Sequence, residues 1–131
     1  MDYSNPEAWS KEELEPSKDL MKWMYGAAVQ LDGRHGLDII AGGKMGDAEI
    51  GWFEAPRNPR HTPDWDYHTI GKAGWTMSLE PTDMDGDGDL DVLVADREAG
   101  AEWFENPGWG TVQKSPWQVH YIAGKSIPRT F

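Results

Sequence analysis

Short runs of alternating apolar and polar residues, separated by stretches rich in glycine and proline, make up most of the chain. In the run 90–95, Leu90, Val92 and Val94 alternate with the other residues and form one strongly apolar face, which is the period of a β-strand. The 15 glycines and nine prolines mark frequent turns, and long helical periodicity is scarce. The pattern predicts an all-β chain of short strands.

The strand-like runs fall into two copies of a unit of roughly fifty residues. Aligning the copies places three blocks in the same order: 30–43 over 83–96, 52–56 over 103–107, and 65–70 over 117–122. The two copies are 53, 51 and 52 residues apart in these blocks, so that only short loop differences separate them. Self-similarity at such a period is the signature of a repeat architecture.

Each copy predicts four short strands. They are expected at about 24–31, 37–42, 49–54 and 65–70 in the first copy, and at about 76–83, 90–95, 101–105 and 117–122 in the second. Four strands in about fifty residues is the size of one β-propeller blade. The fold class predicted is therefore all-β, with two four-stranded antiparallel propeller blades. The domain boundaries expected are an N-terminal segment 1–24, blade 1 at 25–71, blade 2 at 74–124 and a C-terminal tail 125–131.

The N-terminal segment 1–24 allows two interpretations. Trp9 stands before the first copy much as Trp65 stands before the second, which predicts the last strand of a preceding blade near 8–14. A short helix within 11–24 is the alternative, and Pro16 limits its length. Because propellers need about four to eight blades, two blades cannot close a ring. We therefore expect either a homo-oligomeric ring, with a trimer as the first expectation, or a part of a longer chain.

The composition narrows the class of partner. The chain has 23 acidic and 12 basic residues and a formal net charge of −11, which argues against binding to nucleic acid or to an anionic membrane surface. The absence of cysteine excludes disulfides and thiolate metal sites. The sequence has no apolar run long enough for a membrane span, and its first residues lack the features of a signal peptide.

A cluster of aspartates in the second copy is the strongest chemical signal. Five lie within nine residues: Asp83, Asp85, Asp87, Asp89 and Asp91. Carboxylates packed so closely repel one another unless a cation lies among them. The pattern D-x-D-x-D-G-x-x-D suits Ca²⁺, which takes six to eight oxygen ligands. Alternate aspartates direct their carboxylates inward, Asp89 is expected to offer its backbone carbonyl, and Asp91 completes the shell.

Two comparisons sharpen this prediction of one calcium site. An EF-hand shares the first positions but needs a glutamate at position twelve on a helix, whereas Val94 stands there within a predicted strand. The equivalent loop of the first copy has Gln30 and Arg34 where the second has aspartates. We therefore predict no calcium in the first loop, with Arg34 bonding Asp32 and Asp38 instead.

The second copy resembles a known repeat. DMDGDGDLDVLVADR, followed by WFENPG and WQVHYIAG, looks like the FG-GAP/VCBS repeat, the calcium-loop blade of integrin-α-type propellers and many bacterial exported proteins. The resemblance is strong over 74–124, and over 25–71 the repeat is present in a degenerate form. It implies structural Ca²⁺, an extracellular or periplasmic location, and functions that range from adhesion and carbohydrate binding to parts of sugar-active enzymes. The chain departs from the seven-bladed family pattern in having two blades, one with a degraded loop.

Few other residues suggest a function. Trp109 is the candidate for ligand binding, since a loop tryptophan can stack on a sugar ring, although capping of a neighbouring blade is the favoured interpretation. His68 and His120 recur in the two copies, which indicates a repeated structural hydrogen bond.

No motif of a catalytic nucleophile or a phosphate-binding loop occurs, so enzymatic activity lacks a positive argument. Three functions stay open. They are a binding or scaffold module for a glycan or protein, an accessory part of an exported sugar-active enzyme, and a purely structural self-assembling unit.

Overall fold

Two four-stranded antiparallel sheets form the fold of the computed structural model, which describes residues 4–108 and 110–123. Sheet 1 contains β1 (Lys22–Val29), β2 (Asp38–Lys44), β3 (Glu49–Glu54) and β4 (Asp66–Lys72). Sheet 2 contains β5 (Thr76–Thr82), β6 (Asp91–Asp96), β7 (Gly100–Glu105) and β8 (Gln118–Ala123). In each sheet, strands that are consecutive in sequence are neighbours in space. The all-β prediction and the two four-stranded sheets are therefore confirmed.

The strands lie where the alternating pattern predicts them, with small shifts at their ends. The largest shift is at β1, which begins at Lys22 and ends at Val29. The strand ends early because the next residues belong to the loop: the backbone N–H of Leu31 donates to the Asp38 carboxylate at 3.0 Å. Side-chain acceptors of this kind replace the β-ladder at the point where a strand gives way to a turn.

The N-terminal segment differs from both expectations. Residues 4–21 contain neither a strand near 8–14 nor an α-helix within 11–24, but two single 3₁₀ turns, Pro6–Ala8 and Glu15–Ser17. Each turn has a proline among its first positions, where the ring suits the backbone but removes an N–H that a longer helix needs. A third 3₁₀ turn, Thr62–Asp64, precedes β4. In the part of the chain that the structure describes, no helix could cross a bilayer.

The two sheets pack face to face around one shared apolar core. The core contains Ile40, Ile50, Trp52 and Ile70 from sheet 1, and Leu79, Val92, Val94 and Phe104 from sheet 2. Val112 and Trp117, from the segment that leads into β8, join the same core. The backbone N–H of Trp117 donates to the carbonyl of Ile70 at 2.8 Å and links the sheets directly. This packing holds the β5–β6 loop, which carries the aspartates, at one end of sheet 2.

Candidate metal centre

Four carboxylates converge in the loop between β5 and β6. One oxygen from each of Asp83, Asp85, Asp87 and Asp91 lies within 4.8 Å of the others. The first three side chains are exposed, whereas Asp91 is buried at the start of β6. The loop therefore presents an open cup of oxygen atoms whose base is fixed to the sheet.

Local turn chemistry shapes this loop. Both oxygens of Asp83 accept hydrogen bonds from the backbone, from the N–H of Gly86 and from that of Gly88, each at 2.9 Å. The two glycines have φ angles of 77° and 91°, which other residues adopt only at a cost. Asp87 accepts in the same way from the N–H of Asp89 at 2.9 Å. Aspartates commonly close turns by such bonds to residues just ahead.

Asp91 joins the loop to the rest of sheet 2. Its Oδ2 accepts a hydrogen bond from the N–H of Met84 at 2.9 Å, and its Oδ1 accepts one from the N–H of Asn106 at 2.8 Å. The Asn106 side chain in turn donates to the carbonyl of Leu90 at 3.0 Å. Sequence reasoning missed Asn106, although it stands where the first copy has Ala55. A carboxylate has about four acceptor positions, so Asp91 keeps acceptor capacity beyond these two bonds.

Within the described residues, no basic side chain compensates the charge of these carboxylates. Desolvation by the surrounding loop is the main cause that raises the pKa of Asp85, Asp89 and Asp91 above the ordinary value, and the charges of neighbouring aspartates raise it further. The hydrogen bond from Gly88 is the main cause that lowers the pKa of Asp83. Among the residues that the structure describes, no lysine, arginine or histidine forms a salt bridge with these aspartates. A bound cation would relieve the repulsion.

The donor set fits calcium. All four groups are carboxylates. Calcium prefers hard oxygen ligands, takes six to eight of them, and tolerates variation in their geometry. The Asp89 side chain is not among the four converging groups, so only its backbone carbonyl is expected to contribute. That contribution stays a prediction.

Comparison with protein families agrees with this geometry. Residues 30–94 match the model of the FG-GAP-like repeat. The chain carries an FG-GAP-like repeat. The match extends from the first loop into β6, so it includes both loops and strands of both sheets. Neither a curated protein nor a solved structure matches the chain. The predicted resemblance to FG-GAP repeats is therefore confirmed.

The first loop of the FG-GAP-like repeat has positive φ angles at the same two positions as the second. Of the four converging carboxylates it keeps two, Asp32 and Asp38, and has Gln30 and Arg34 in place of the others. Gly33 and His35 have φ angles of 72° and 59°, like the two glycines of the second loop. The carboxamide of Gln30 closes this loop: its oxygen accepts from the N–H of Gly33 at 2.9 Å, and its nitrogen donates to the carbonyl of Gly36 at 2.9 Å. The Gln30 oxygen thus accepts at the position where Asp83 accepts from Gly86, whereas its nitrogen donates to the loop, which a carboxylate cannot do.

Arg34 supplies a cation to the first loop, but its main partner differs from the predicted one. Its Nη2 lies 2.7 Å from Oε2 of Glu54, and its Nε lies 3.8 Å from Oδ2 of Asp32. Asp38, predicted as a partner, instead accepts hydrogen bonds from the N–H groups of Leu31 and Ala55. The contact with Glu54 arises because β2 and β3 are antiparallel, which places the end of β3 beside the loop before β2.

The remaining predicted residues of the chain separate into two groups. His68 and His120 make the predicted repeated bond, with Nε2 at 2.9 Å from Glu54 and at 2.8 Å from Glu105. Trp109, the candidate for sugar stacking, lies outside the described residues, and its role stays a prediction.

Proposed function

We propose that the chain is a calcium-stabilised FG-GAP-like repeat module, which serves as a scaffold or binding unit. The observation that carries this proposal is the convergence of four aspartates within 4.8 Å, in a loop that has no cationic side chain within salt-bridge distance in the described residues. Asp83, Asp85, Asp87 and Asp91 would hold the ion. When bound, calcium supplies a cross-link of high charge density and no reactive chemistry.

The role of the site follows from the contacts of Asp91. This residue joins the loop to the end of β7 through the N–H of Asn106, so an ion held by Asp91 and the exposed aspartates would couple the loop to the sheet. An ion that binds the folded loop better than the unfolded chain stabilises the fold by mass action. At a calcium concentration about one hundred times Kd, the gain is about 2.7 kcal/mol.

The two sheets have the properties of consecutive propeller blades. Each is a four-stranded antiparallel meander, and one face of sheet 1 packs on one face of sheet 2. We propose that further blades complete a ring, supplied by other copies or by a longer chain, with a trimer of six blades as the first expectation. A location outside the cytoplasm, extracellular or periplasmic, rests on the family alone.

Calcium titration of two matched variants tests the metal site. Asp87→Asn removes one converging carboxylate, whereas Asp47→Asn makes the same charge change at an exposed turn of sheet 1. We expect Asp87→Asn to weaken calcium binding by about tenfold or more, and Asp47→Asn to bind as the wild type does. Isothermal titration calorimetry gives both affinities. Equal affinities in the two variants, or no calcium binding by the wild type, would exclude the proposed site.

A glycan array tests the binding role of the calcium-loaded chain. Binding that depends on the fold but not on further calcium above saturation supports a glycan-binding module. Activity on a polysaccharide that survives in Asp87→Asn favours the accessory part of a sugar-active enzyme. If neither glycan binding nor activity on a polysaccharide is detected, the scaffold role is the one that remains.

A further inference from the structure

The interface inside the chain shows how one sheet of this repeat is covered by the next. Trp52 and Ile70 of sheet 1 lie in the shared core and are fully buried against sheet 2. From sheet 2, Phe104 packs into the same core and lies directly over Gly71. Because Phe104 is the repeat equivalent of Phe53, this contact joins the Trp52 side of one sheet to the phenylalanine side of the next.

Sheet 2 repeats the Trp52 side of sheet 1, but no sheet formed by the described residues packs over it. Leu93 and Trp103 are cross-strand partners, and they alternate with residues of the shared core, so they point to the opposite face. His120 lies on that face too, since its ring stacks on Trp103 at 4.2 Å. We name this surface the Trp103 face. In the described part of the chain, neither apolar cluster includes a residue of this face.

The residues of the Trp103 face match the buried ones in sheet 1 position by position. Leu93, Ala101, Trp103 and Ile122 stand at the positions of Ile40, Ile50, Trp52 and Ile70. Ile70 is fully buried, whereas 53% of Ile122 is exposed. Among the described residues, the same apolar pattern is therefore covered by a sheet in sheet 1 and left uncovered by one in sheet 2.

Sheet 1 has the surface that fits this open face. Its side opposite the shared core, here the Phe53 face, carries a second apolar cluster that contains the buried residues Ala41, Phe53, Ala55 and Trp65. Trp23 and Tyr67 pack against this cluster, with their ring centroids 5.5 Å and 5.0 Å from that of Phe53. The corresponding phenylalanine of sheet 2 is covered by sheet 1. At the Phe53 face, residues 4–21 take that place.

Residues 4–21 are attached to the Phe53 face by a few contacts. Leu14 packs against the apolar cluster, and the carbonyl of Ser17 accepts a hydrogen bond from the Trp23 indole at 3.1 Å. The sulfur of Met21 lies over Gly43, where a Cβ atom would approach it to 2.6 Å.

The attachment of this segment is thin. No residue of 4–21 is buried, and 4–13 are all exposed. The backbone hydrogen bonds of its two turns stay within the segment. A packed sheet, by contrast, buries Trp52 and Ile70 completely.

We propose that residues 4–21 are a displaceable cap, which occupies the Phe53 face until the Trp103 face of a second copy replaces it. The inference rests on the proposed arrangement of sheets as blades. It adds that the partner is a second copy and that residues 4–21 control its binding. The new contact would continue the interface that already joins sheet 1 to sheet 2. Because it joins two different faces, it is heterologous and leads to a ring when the rotation closes. About four to eight blades correspond to two, three or four copies.

Full-length variants test this proposal through molar mass, measured by light scattering over a wide range of concentration. Leu14→Asp places a charge against the apolar cluster and should release the cap. Leu20→Asp makes the same change in the same segment at a side chain that is 42% exposed, and serves as the matched control. We expect Leu14→Asp to associate at about tenfold lower concentration than the wild type, and Leu20→Asp to behave as the wild type.

A double variant identifies the second surface. Leu14→Asp combined with Trp103→Arg should stay monomeric, because the released Phe53 face then meets a charge instead of the Trp103 face. A folded Leu14→Asp that stays monomeric at every concentration would overturn the proposal, and so would association that Trp103→Arg leaves unchanged.

Folding and calcium binding are checked separately. If circular dichroism shows that Leu14→Asp is unfolded, Leu14→Ala gives the same test, with a smaller expected shift and the same outcomes. Calcium affinity should equal that of the wild type in all these variants, so that failure of the cap and failure of the metal site can be distinguished.

Discussion

Arg34 lies 2.7 Å from Glu54, between its Nη2 atom and the Oε2 atom of the carboxylate. The first loop of the repeat therefore contains its own cation, whereas the second gathers four carboxylates that no side chain neutralises within the described residues. The two loops share positive φ angles at equivalent positions. Under the proposed function, a side-chain cation in the first loop and a calcium ion in the second would stabilise the same backbone shape.

Three substitutions should convert the first loop into a second calcium site. Gln30→Asp, Arg34→Asp and His35→Gly together reproduce the pattern of the second loop, and Asp32 and Asp38 are already present. Because the backbone already has the required turns, we expect the calcium stoichiometry from calorimetry to rise from one to two per chain.

Arg34→Gln is the control for this conversion. It removes the cation without adding a carboxylate, so the stoichiometry should stay at one. The Arg34 side chain is 59% exposed, and exposed ion pairs contribute little, so the loss in unfolding free energy should be below about 1 kcal/mol. A triple variant that still binds one ion would show that the carboxylates of the first loop do not converge.

Asp38 should make the protein less stable as the pH rises through the weakly acidic range. Burial is the main cause that raises the pKa of Asp38 to about 6. Three backbone hydrogen bonds lower this pKa, and the charge of Asp32 raises it further. The folded state then holds a proton that the unfolded state loses near pH 4. This contribution is full below the unfolded pKa and is lost as the pH passes the folded pKa, with a total of up to about 3 kcal/mol.

Urea unfolding of the wild type and of Asp38→Asn, in the presence of a chelator, measures this effect. We expect the wild type to lose free energy of unfolding relative to the variant between about pH 4 and 6. A difference between the two proteins that is constant over this range would contradict the raised pKa.

The contribution of Asp96 to stability should depend on pH in the opposite direction to that of Asp38. Asp96 is 5% exposed, and burial raises its pKa, but four backbone hydrogen bonds outweigh burial and lower the pKa below the usual value. The donors, at 2.8 to 3.1 Å, are the N–H groups of Gly74, Trp75, Glu98 and Ala99. This contribution is present above the unfolded pKa and is lost as the pH falls.

Asp96→Ala should therefore cost at least about 2 kcal/mol at neutral pH, because four partly buried N–H groups lose a charged acceptor. The cost should shrink below about pH 4. Asp64→Ala, at a side chain that is 61% exposed, is the control and should change stability by less than about 0.5 kcal/mol. Chemical denaturation at several pH values gives both numbers, and equal costs for the two variants would refute the anchoring role of Asp96.

Gly71 should be intolerant of a side chain, since a Cβ atom there would overlap the ring of Phe104. Gly71→Ala should push the two sheets apart locally and cost about 1–3 kcal/mol. Gly36→Ala is the matched control, because a Cβ atom there meets nothing within 4 Å, and it should be neutral or stabilise by up to about 1 kcal/mol. Thermal unfolding compares the two, and a neutral Gly71→Ala would mean that the sheets are not in close contact at this point.

The sequence alone determined the local part of this structure. The eight strands, the two copies and the aspartate loop were predictable because strand periodicity and turn chemistry act over a few residues. The convergence of Asp83, Asp85 and Asp87 depends on a spacing of two residues and on the glycines between them. The second copy's resemblance to FG-GAP repeats rests on the same local motif.

Only the tertiary structure decided which distant groups meet. Glu54 reaches Arg34 over a separation of 20 residues, and Asn106 reaches Asp91 over 15, because neighbouring strands pair antiparallel. The N-terminal segment covers the Phe53 face, although its own pattern predicted a strand or a helix. Such contacts depend on sheet register and on which surfaces bury each other best. Both are decided by many small energies summed over the whole chain, so neither leaves a periodic pattern in any one segment.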